Sequence, residues 1–319
     1  MHSKHTPIEE VTPSEYIDFK GVYRATVHIT DKCNLNCIYC GFDSGRNKHD
    51  ELPYKTIVDI VQILSSNNIQ HLDLSGGEPT IRTDFFQILD KIDKTPLSLG
   101  LLTNGTQITE LFAKQLDQHQ IHSIKISFDG LKEEHDRLRG TGAYDKALSG
   151  LRNIINHTSI PTKVLFTLTS YNGNDVIELV KKLADLGIWR LVIRPCDPNG
   201  RSDNSFIPSE TLVEAVYRDL LKIANCLPDD FIELSFVNPF PKLGVWANNP
   251  YVMLEESGRH ITILSNGDVM VDYCQYLEMQ RTGETIRNGK EGNLFERDLN
   301  KMLCSIISRI DVSPINCQS

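Results

Sequence analysis

Residues 31–40 read DKCNLNCIYC and place three cysteines at a C-x3-C-x2-C spacing directly after a β-rich run, VYRATVHI, at residues 22–29. This spacing lets three sulfurs from one loop reach a single metal centre. Thiolates hold iron-sulfur clusters, and a cubane with three protein ligands keeps one iron open for chemistry. The stretch therefore predicts a catalytic cluster. A zinc site completed by a distant Cys or His, or three inert core thiols, remain open on spacing alone.

Short β-rich runs alternate with amphipathic helical patterns from residue 22 to residue 195. Strands are predicted at 22–29, 71–75, 97–103, 122–128, 162–169 and 188–194. Helices are predicted at 54–66, 82–93, 108–119, 144–157 and 174–186. Strands that alternate with helices indicate βα units and a parallel sheet. We therefore predict an α/β fold, a partial (β/α)6 parallel barrel.

The alternation changes after residue 200. Here the patterns predict a helix at 209–225, a strand at 231–237, a β-hairpin at 259–273 and a final helix near 295–309. The hairpin prediction rests on Asn266-Gly267 between two alternating apolar runs. We accordingly divide the chain into an N-terminal segment (1–20), the barrel (21–200) and a smaller C-terminal α+β extension that contains the hairpin (201–319).

Composition narrows the classes of partner. The net charge of -9 argues against a broad nucleic-acid surface, which needs clustered basic residues. The first residues carry Glu9 and Glu10 and lack the apolar run of a signal peptide. Nowhere do eighteen consecutive apolar residues occur. We expect a cytoplasmic protein without nucleic-acid or membrane partners.

Further motifs end the predicted strands. GGEPT follows the second strand, TNG ends the third and SFDG ends the fourth. Parallel sheets and barrels present their ligand sites at the carboxyl ends of the strands. We therefore expect these motifs and the loop that carries Cys33, Cys37 and Cys40, here called the cysteine loop, to meet on one rim.

CNLNCIYC, followed by Gly76-Gly77-Glu78-Pro79, resembles the radical S-adenosylmethionine (SAM) superfamily over residues 22–195. The resemblance implies one [4Fe-4S] cluster on Cys33, Cys37 and Cys40, with SAM chelating the open iron. A reductant such as flavodoxin or ferredoxin would supply the electron that cleaves SAM to a 5'-deoxyadenosyl radical, which abstracts hydrogen from a substrate.

The resemblance also implies which residues bind SAM. Gly76 and Gly77 would let backbone approach the methionyl group, because a side chain there would block it. Glu78 would accept a charge-assisted hydrogen bond from the SAM ammonium. Tyr39 would pack beside the adenine. Alternatively, GGEP is simply a turn and Tyr39 a core aromatic.

Four more positions follow from the same resemblance. Ser127 and Asp129 match residues that reach the ribose or the methionine of SAM, and Asn104 is a weaker candidate. Arg139 matches an arginine that pairs with the SAM carboxylate. The alternatives are a loop with a helix cap at SFDG and a solvated charge at Arg139.

The C-terminal third resembles the SPASM or twitch extension of some members, which holds auxiliary clusters, but it lacks their C-x2-C pattern. An auxiliary [4Fe-4S] cluster would need Cys196, Cys274, Cys304 and Cys317. We expect instead a degenerate extension that shapes the substrate pocket. Cys274 or Cys196 could then donate a hydrogen atom to a substrate radical, which would make the protein an epimerase.

The resemblance favours a small polar substrate of sugar, aminoglycoside or nucleoside type in natural-product biosynthesis, with epimerisation, dehydrogenation, elimination or decarboxylation as the outcome. This expectation rests on the short segment before the first strand, which leaves little room for a peptide-recognition domain. The first alternative is maturation of a ribosomally made peptide. The second, of another class, is a non-catalytic iron-sulfur or zinc scaffold or sensor.

Overall fold

The computed structural model describes residues 24–45, 50–67, 69–188, 190–224, 233–236, 252–254, 260–272, 290–293 and residue 301. Its strands are β1 Arg24–Thr30, β2 His71–Gly76, β3 Ser98–Thr103, β4 Ile121–Ser127, β5 Thr162–Leu168, β6 Arg190–Pro195, β7 Glu233–Phe236, β8 Val252–Leu254, β9 His260–Ile263, β10 Asp268–Asp272 and β11 Lys290–Asn293. Its helices are α1 Tyr54–Ser66, α2 Phe85–Ile92, α3 Glu110–Leu116, α4 Lys132–Arg139, α5 Ala143–His157, α6 Val176–Asp185 and α7 Glu210–Ala224. A short 3₁₀ helix, Pro79–Ile81, follows β2.

Strands β1 to β8 are parallel and adjacent in chain order, which confirms the α/β fold and the partial barrel. The outward face of β1 carries Ala25, Val27 and Ile29, and these pack in one apolar core with residues of α1 such as Ile57 and Ile60. Alternation along the strand turns the polar residues to the opposite, inner face of the sheet. The barrel therefore has an apolar shell and a polar interior.

The predicted hairpin is present, but it does not form a layer of its own. β9 and β10 pair antiparallel around Asn266-Gly267, and β9 adds to the free edge of β1 in parallel. On the other side, β7 and β8 continue the barrel beyond β6, so all eleven described strands belong to one sheet. The division at residue 200 stays a prediction. None of the helices in the described ranges combines the length and apolar character needed to cross a membrane.

Helix α4 was not predicted. Its sequence, KEEHDRLR, is almost entirely charged, and only His135 and Leu138 are buried. Such a short helix has no apolar stripe that periodicity can detect. It matters for the site because its last residue is Arg139.

The loop after β3 depends on a glycine in α5. A Cβ at Gly150 would lie 2.0 Å from the carbonyl oxygen of Gly105, although alanine is intrinsically the better helix former. We predict that Gly150→Ala lowers the free energy of unfolding by about 1–3 kcal/mol through overpacking. Ser149→Ala, at the exposed neighbouring position of α5, should raise it by about 0.3–0.5 kcal/mol. Denaturant titration of both variants checks this, and equal stability of the two would contradict the close packing.

Candidate cluster and cofactor site

The three cysteines lie in the loop that follows β1. Cys33, Cys37 and Cys40 are free and half-buried, and Cys33 lies near enough to the other two for their charges to interact. Burial raises the pKa of the Cys33 thiol to about 12 and also raises the pKa of Cys37. These thiols stay protonated at neutral pH without a metal, so cluster binding must release their protons.

The spacing of the thiols bears on the kind of metal centre. Within the described ranges, no group of three or more His, Cys, Asp or Glu side chains is arranged to hold a single metal ion. A cubane binds each thiolate through a different iron, so its ligands lie farther apart than those of one zinc ion. Three free thiols on one loop are the protein ligands that a cubane with one open iron requires.

The GGE segment holds the cysteine loop by its backbone. The N–H of Gly77 donates to the Thr30 carbonyl at 2.7 Å, and the N–H of Glu78 donates to the Lys32 carbonyl at 2.9 Å. A Cβ at Gly76 would lie 2.2 Å from the Thr30 oxygen, and one at Gly77 would lie 2.3 Å from the Lys32 oxygen. Both glycines thus leave room for the cysteine loop, and the contact of their backbone with the methionyl group of SAM stays a prediction.

Glu78 is fully buried and bonded within the protein. One carboxylate oxygen accepts from the Thr80 hydroxyl at 2.5 Å and the Thr103 hydroxyl at 2.7 Å, and the other accepts from the Asn104 N–H at 2.7 Å. Burial raises the pKa of Glu78, against the lowering effect of these donors. In the structure this carboxylate joins the ends of β2 and β3, and its contact with the SAM ammonium stays a prediction.

Asn104 belongs to the same connection. Its amide nitrogen donates to the Asn34 side chain at 2.9 Å and approaches the Cys33 sulfur at 3.9 Å. Its side-chain oxygen accepts from the Thr106 N–H and hydroxyl. The weaker SAM candidate is therefore engaged on both atoms of its amide, and it ties the cysteine loop to the loop after β3.

Asp129 is also fully buried, at the end of β4. It accepts hydrogen bonds from the Tyr39 hydroxyl, from Nε of Arg139 and, at 2.9 Å, from the Thr167 N–H. Burial acts to raise the pKa of Asp129, but Arg139 and these donors outweigh it and hold the pKa below its ordinary value. Asp129 thus orients an arginine and a tyrosine, and its contact with the ribose or the methionine of SAM stays a prediction.

Two of the predicted SAM residues keep unused hydrogen-bonding groups. The terminal nitrogens of Arg139 make no hydrogen bond to any residue in the described part of the chain, while its Nε is held by Asp129. Ser127, half-buried where β4 ends, makes no described side-chain hydrogen bond either. Tyr39 is 7% exposed and packs with Leu138 and Cys196, so it has the surroundings of a core aromatic.

Cys196 does not lie open to the barrel interior. It is 6% exposed, and its thiol lies 3.1 Å from the Ser202 hydroxyl. The other cysteines considered for hydrogen donation or an auxiliary cluster, Cys274, Cys304 and Cys317, lie outside the described residues. Both ideas therefore stay predictions.

Two further residues stand out that motif reasoning missed. Arg201, after β6, bonds to the cysteine loop, and only a Gly-Arg pair in an irregular loop marked it in the sequence. His28, on the inner face of β1, is 3% exposed, and its Nδ1 has no hydrogen-bond partner among the residues that the structure describes. Burial lowers the pKa of His28 to about 4, so the ring is neutral at pH 7. Polar alternation along β1 was the available signal for His28.

Gly77 tests the contact between GGE and the cysteine loop. We predict that Gly77→Ala displaces the cysteine loop and lowers the iron bound per chain after reconstitution by about tenfold. This is the lower end of the effects seen when residues that support metal ligands are replaced. Gly41→Ala is the matched control in the cysteine loop, because a Cβ there meets nothing within 4 Å. Iron and sulfide analysis checks both variants. Full iron content in Gly77→Ala would contradict the packing argument.

Asp129 gives a pH-dependent prediction. Asp129→Asn leaves the Arg139 charge buried without its partner and should lower the free energy of unfolding by about 3 kcal/mol at pH 7. A depressed carboxyl pKa stabilises the fold above the unfolded value of about 3.9, and this contribution is lost as pH falls through the folded pKa. The gap between the two proteins should therefore narrow below about pH 4. Unfolding titrations from pH 7 to pH 3 measure it, and a gap that does not change with pH would refute the ion-pair account.

Comparison with known proteins agrees with this geometry. Residues 27–183 match the radical SAM superfamily. The mycofactocin maturase MftC of Mycolicibacterium smegmatis is 30% identical over 177 residues, which are 55% of this chain and 45% of that protein. The chain thus spans under half the length of that relative. A probable GTP 3',8-cyclase of Methanocaldococcus jannaschii is 26% identical over 284 residues, covering 82% of this chain and 90% of that protein.

Solved structures share the fold. SuiB of Streptococcus suis, bound to the precursor peptide SuiA, superposes with a TM-score of 0.72 at 15% identity, over 92% of this chain and 68% of that chain. Native anSMEcpe with bound AdoMet gives 0.66 at 18% identity, over 88% and 79% of the two chains. With the three-cysteine loop held against GGE, residues 27–183 form a domain of the radical SAM superfamily, and such a domain implies a [4Fe-4S] cluster and SAM as cofactors.

Proposed function

We propose that this chain is an enzyme that binds one [4Fe-4S] cluster through Cys33, Cys37 and Cys40 and cleaves SAM reductively. The observation that carries the proposal is the convergence, on the carboxyl rim of one parallel sheet, of three free thiols and the end of Arg139, which bonds to none of the described residues. In barrels of this kind, chemistry takes place at that rim. When bound, the cofactors supply a 5'-deoxyadenosyl radical that abstracts hydrogen from a substrate.

Arg139 and Ser127 are the residues we assign to the carboxylate of SAM. A guanidinium presents several N–H donors in one plane, which suits a carboxylate. Asp129 holds Nε of Arg139 and so fixes the direction of the remaining donors. The Asp129 carboxylate also offsets the burial of the arginine: burial lowers the pKa of Arg139, but Asp129 raises it well above the ordinary value. Arg139 is therefore charged at neutral pH.

The inner face of the barrel supports a polar substrate. Asp73, 2% exposed, accepts from Lys125 at 2.7 Å and from Arg24 at 2.6 Å. Nearer the rim, His28 pairs in register with Ser75, the residue before the glycine pair, and offers its unpartnered Nδ1. Buried polar atoms require partners, and a substrate hydroxyl, amide or carboxylate would supply one for His28. We therefore favour a small polar molecule as substrate.

A second substrate class is supported by the relatives. MftC is named a maturase and SkfB of Bacillus subtilis a sporulation killing factor maturation protein, and SuiB has been solved with the precursor peptide SuiA bound. The second candidate function is therefore the modification of a ribosomally made peptide, in which one polar side chain would enter the barrel. The electron donor in either case would be a small reductant such as flavodoxin or ferredoxin.

Anaerobic reconstitution followed by dithionite reduction tests the proposed activity. We predict that the wild-type protein converts SAM to 5'-deoxyadenosine and methionine, and that Cys37→Ala abolishes this conversion because the cluster loses a ligand. Cys196→Ala removes a buried thiol from the group of apolar residues against which Cys37 packs. This variant should keep its iron and its cleavage of SAM. Chromatographic detection of 5'-deoxyadenosine is the measurement. A wild-type protein with a complete cluster that cleaves no SAM, with or without candidate substrates, would overturn the proposal.

The same assay separates the two substrate classes. If the substrate is small and polar, addition of sugars, aminoglycosides or nucleosides should stimulate 5'-deoxyadenosine formation. If the chain is a maturase, a leader-bearing precursor peptide encoded beside this protein should stimulate it instead. Full substrate-dependent turnover by Cys196→Ala and Cys274→Ala would exclude both thiols as hydrogen donors.

A further inference from the structure

The loop after β6 crosses the cysteine loop at close range. The N–H of Arg201 donates to the carbonyl of Cys40 at 2.9 Å. A Cβ at Gly200 would lie 2.4 Å from the carbonyl oxygens of both Cys40 and Gly41, and Gly200 has a φ of +62°, in the left-handed region. Only glycine both adopts this backbone conformation without strain and leaves room for the approach. The two loops therefore touch backbone to backbone.

The side chain of Arg201 extends this contact along the cysteine loop. Its Nε donates to the carbonyl of Cys37 at 2.8 Å, and one terminal nitrogen donates to the Asp43 carboxylate at 2.7 Å and the Ser44 carbonyl at 2.9 Å. The arginine side chain is only 8% exposed. Together with the backbone bond to Cys40, Arg201 binds the peptide groups of two of the three candidate ligands.

The contacts of Arg201 suit a loop that binds a cluster. A loop that carries three cluster ligands must hold its thiols in one geometry, and groups that support the ligands commonly change metal affinity by about 10–100-fold. A buried guanidinium is costly unless its donors are used, and here they are used on the cysteine loop. Its positive charge also lies beside Cys37, where it would favour the extra negative charge of a reduced cluster.

We propose that Arg201 is a positioning residue of the cluster: its planar donors hold the cysteine loop in the ligating conformation, and its charge stabilises the reduced state. This inference rests on the proposed function, since it needs a cluster on Cys33, Cys37 and Cys40. GGE holds the entry to the cysteine loop at Thr30 and Lys32, and Arg201 holds its exit from Cys37 to Ser44.

Two substitutions separate the geometric effect from the effect of charge. Arg201→Lys keeps the charge but loses the planar fork, whereas Arg201→Gln loses the charge. Arg194→Gln is the matched control, because Arg194 lies on the neighbouring strand end, is largely exposed and pairs only with Asp197 among the described contacts. The full-length proteins are reconstituted anaerobically, and iron release to a chelator and the reduction potential of the cluster are measured.

We expect Arg201→Lys and Arg201→Gln to release iron about tenfold faster than wild type. The reduction potential should shift to more negative values in Arg201→Gln, remain near wild type in Arg201→Lys, and remain unchanged in Arg194→Gln. A purely structural arginine would lower the melting temperature of the cluster-free protein without moving the potential. Circular dichroism of the cluster-free variants monitors folding. If Arg201→Gln does not fold, the rate of iron release from Arg201→Lys alone tests the role of Arg201.

Wild-type iron release and potential in the folded Arg201 variants would overturn the role of Arg201 and leave the proposed function intact. If only Arg201→Lys folds, iron release at the wild-type rate in that variant would likewise overturn the role of Arg201. A wild-type protein that takes up no cluster would overturn both. The two failures are thus distinguished by the behaviour of the wild-type protein.

Discussion

The contact between the backbone of Gly76-Gly77-Glu78 and the cysteine loop is the constraint on which the rest of the site depends. Two N–H groups at the end of β2 donate to carbonyls of Thr30 and Lys32, and neither glycine has room for a Cβ. β1 and β2 are adjacent parallel strands, so their ends lie side by side. The contact sets the direction in which the chain enters the cysteine loop, and hence where the thiols stand.

Around this contact, two buried acidic residues hold other residues of the site in place through hydrogen bonds. Glu78 joins β2 to β3 through Thr103 and Asn104, and Asp129 joins Tyr39, Arg139 and Thr167. Both carboxylates are fully buried, where an unpaired charge would be strongly unfavourable. Their donors satisfy them, and among the described residues the end of Arg139, the hydroxyl of Ser127 and Nδ1 of His28 have no hydrogen-bond partner and are available to a ligand. The rim is therefore largely preorganised before any cofactor binds, which limits the reorganisation that binding requires.

Much of the barrel was predictable from sequence because each strand carries an apolar outer face that must meet a helix. The predicted six strands and five helices of the barrel agree with the structure to within a few residues, and the Asn266-Gly267 hairpin is present. Helix α4 escaped prediction because it is short and charged. The pairing of β9 with β1 escaped because it joins residues more than two hundred positions apart, and no local pattern specifies such a contact.

The motifs located the site but not the task of each residue in it. The motifs marked Gly77, Glu78 and Asp129 as candidate site residues, whereas only the structure shows that their hydrogen-bond partners include Thr30, Asn104 and Arg139. Arg201 carried no motif, because a single arginine in a loop has many possible roles and its partners are backbone carbonyls, which every sequence possesses. His28 was visible only as a polar residue in an otherwise buried strand.

The central claim is that three cysteines on a loop held by GGE leave one iron of a cubane open to SAM. Mössbauer spectroscopy of the wild-type protein, reconstituted with ⁵⁷Fe and measured with and without SAM, tests it most directly. The account predicts a [4Fe-4S] spectrum in which one iron alone changes when SAM is added. A complete cluster whose irons are all unaffected by SAM, or a centre other than a cubane on these three cysteines, would contradict it.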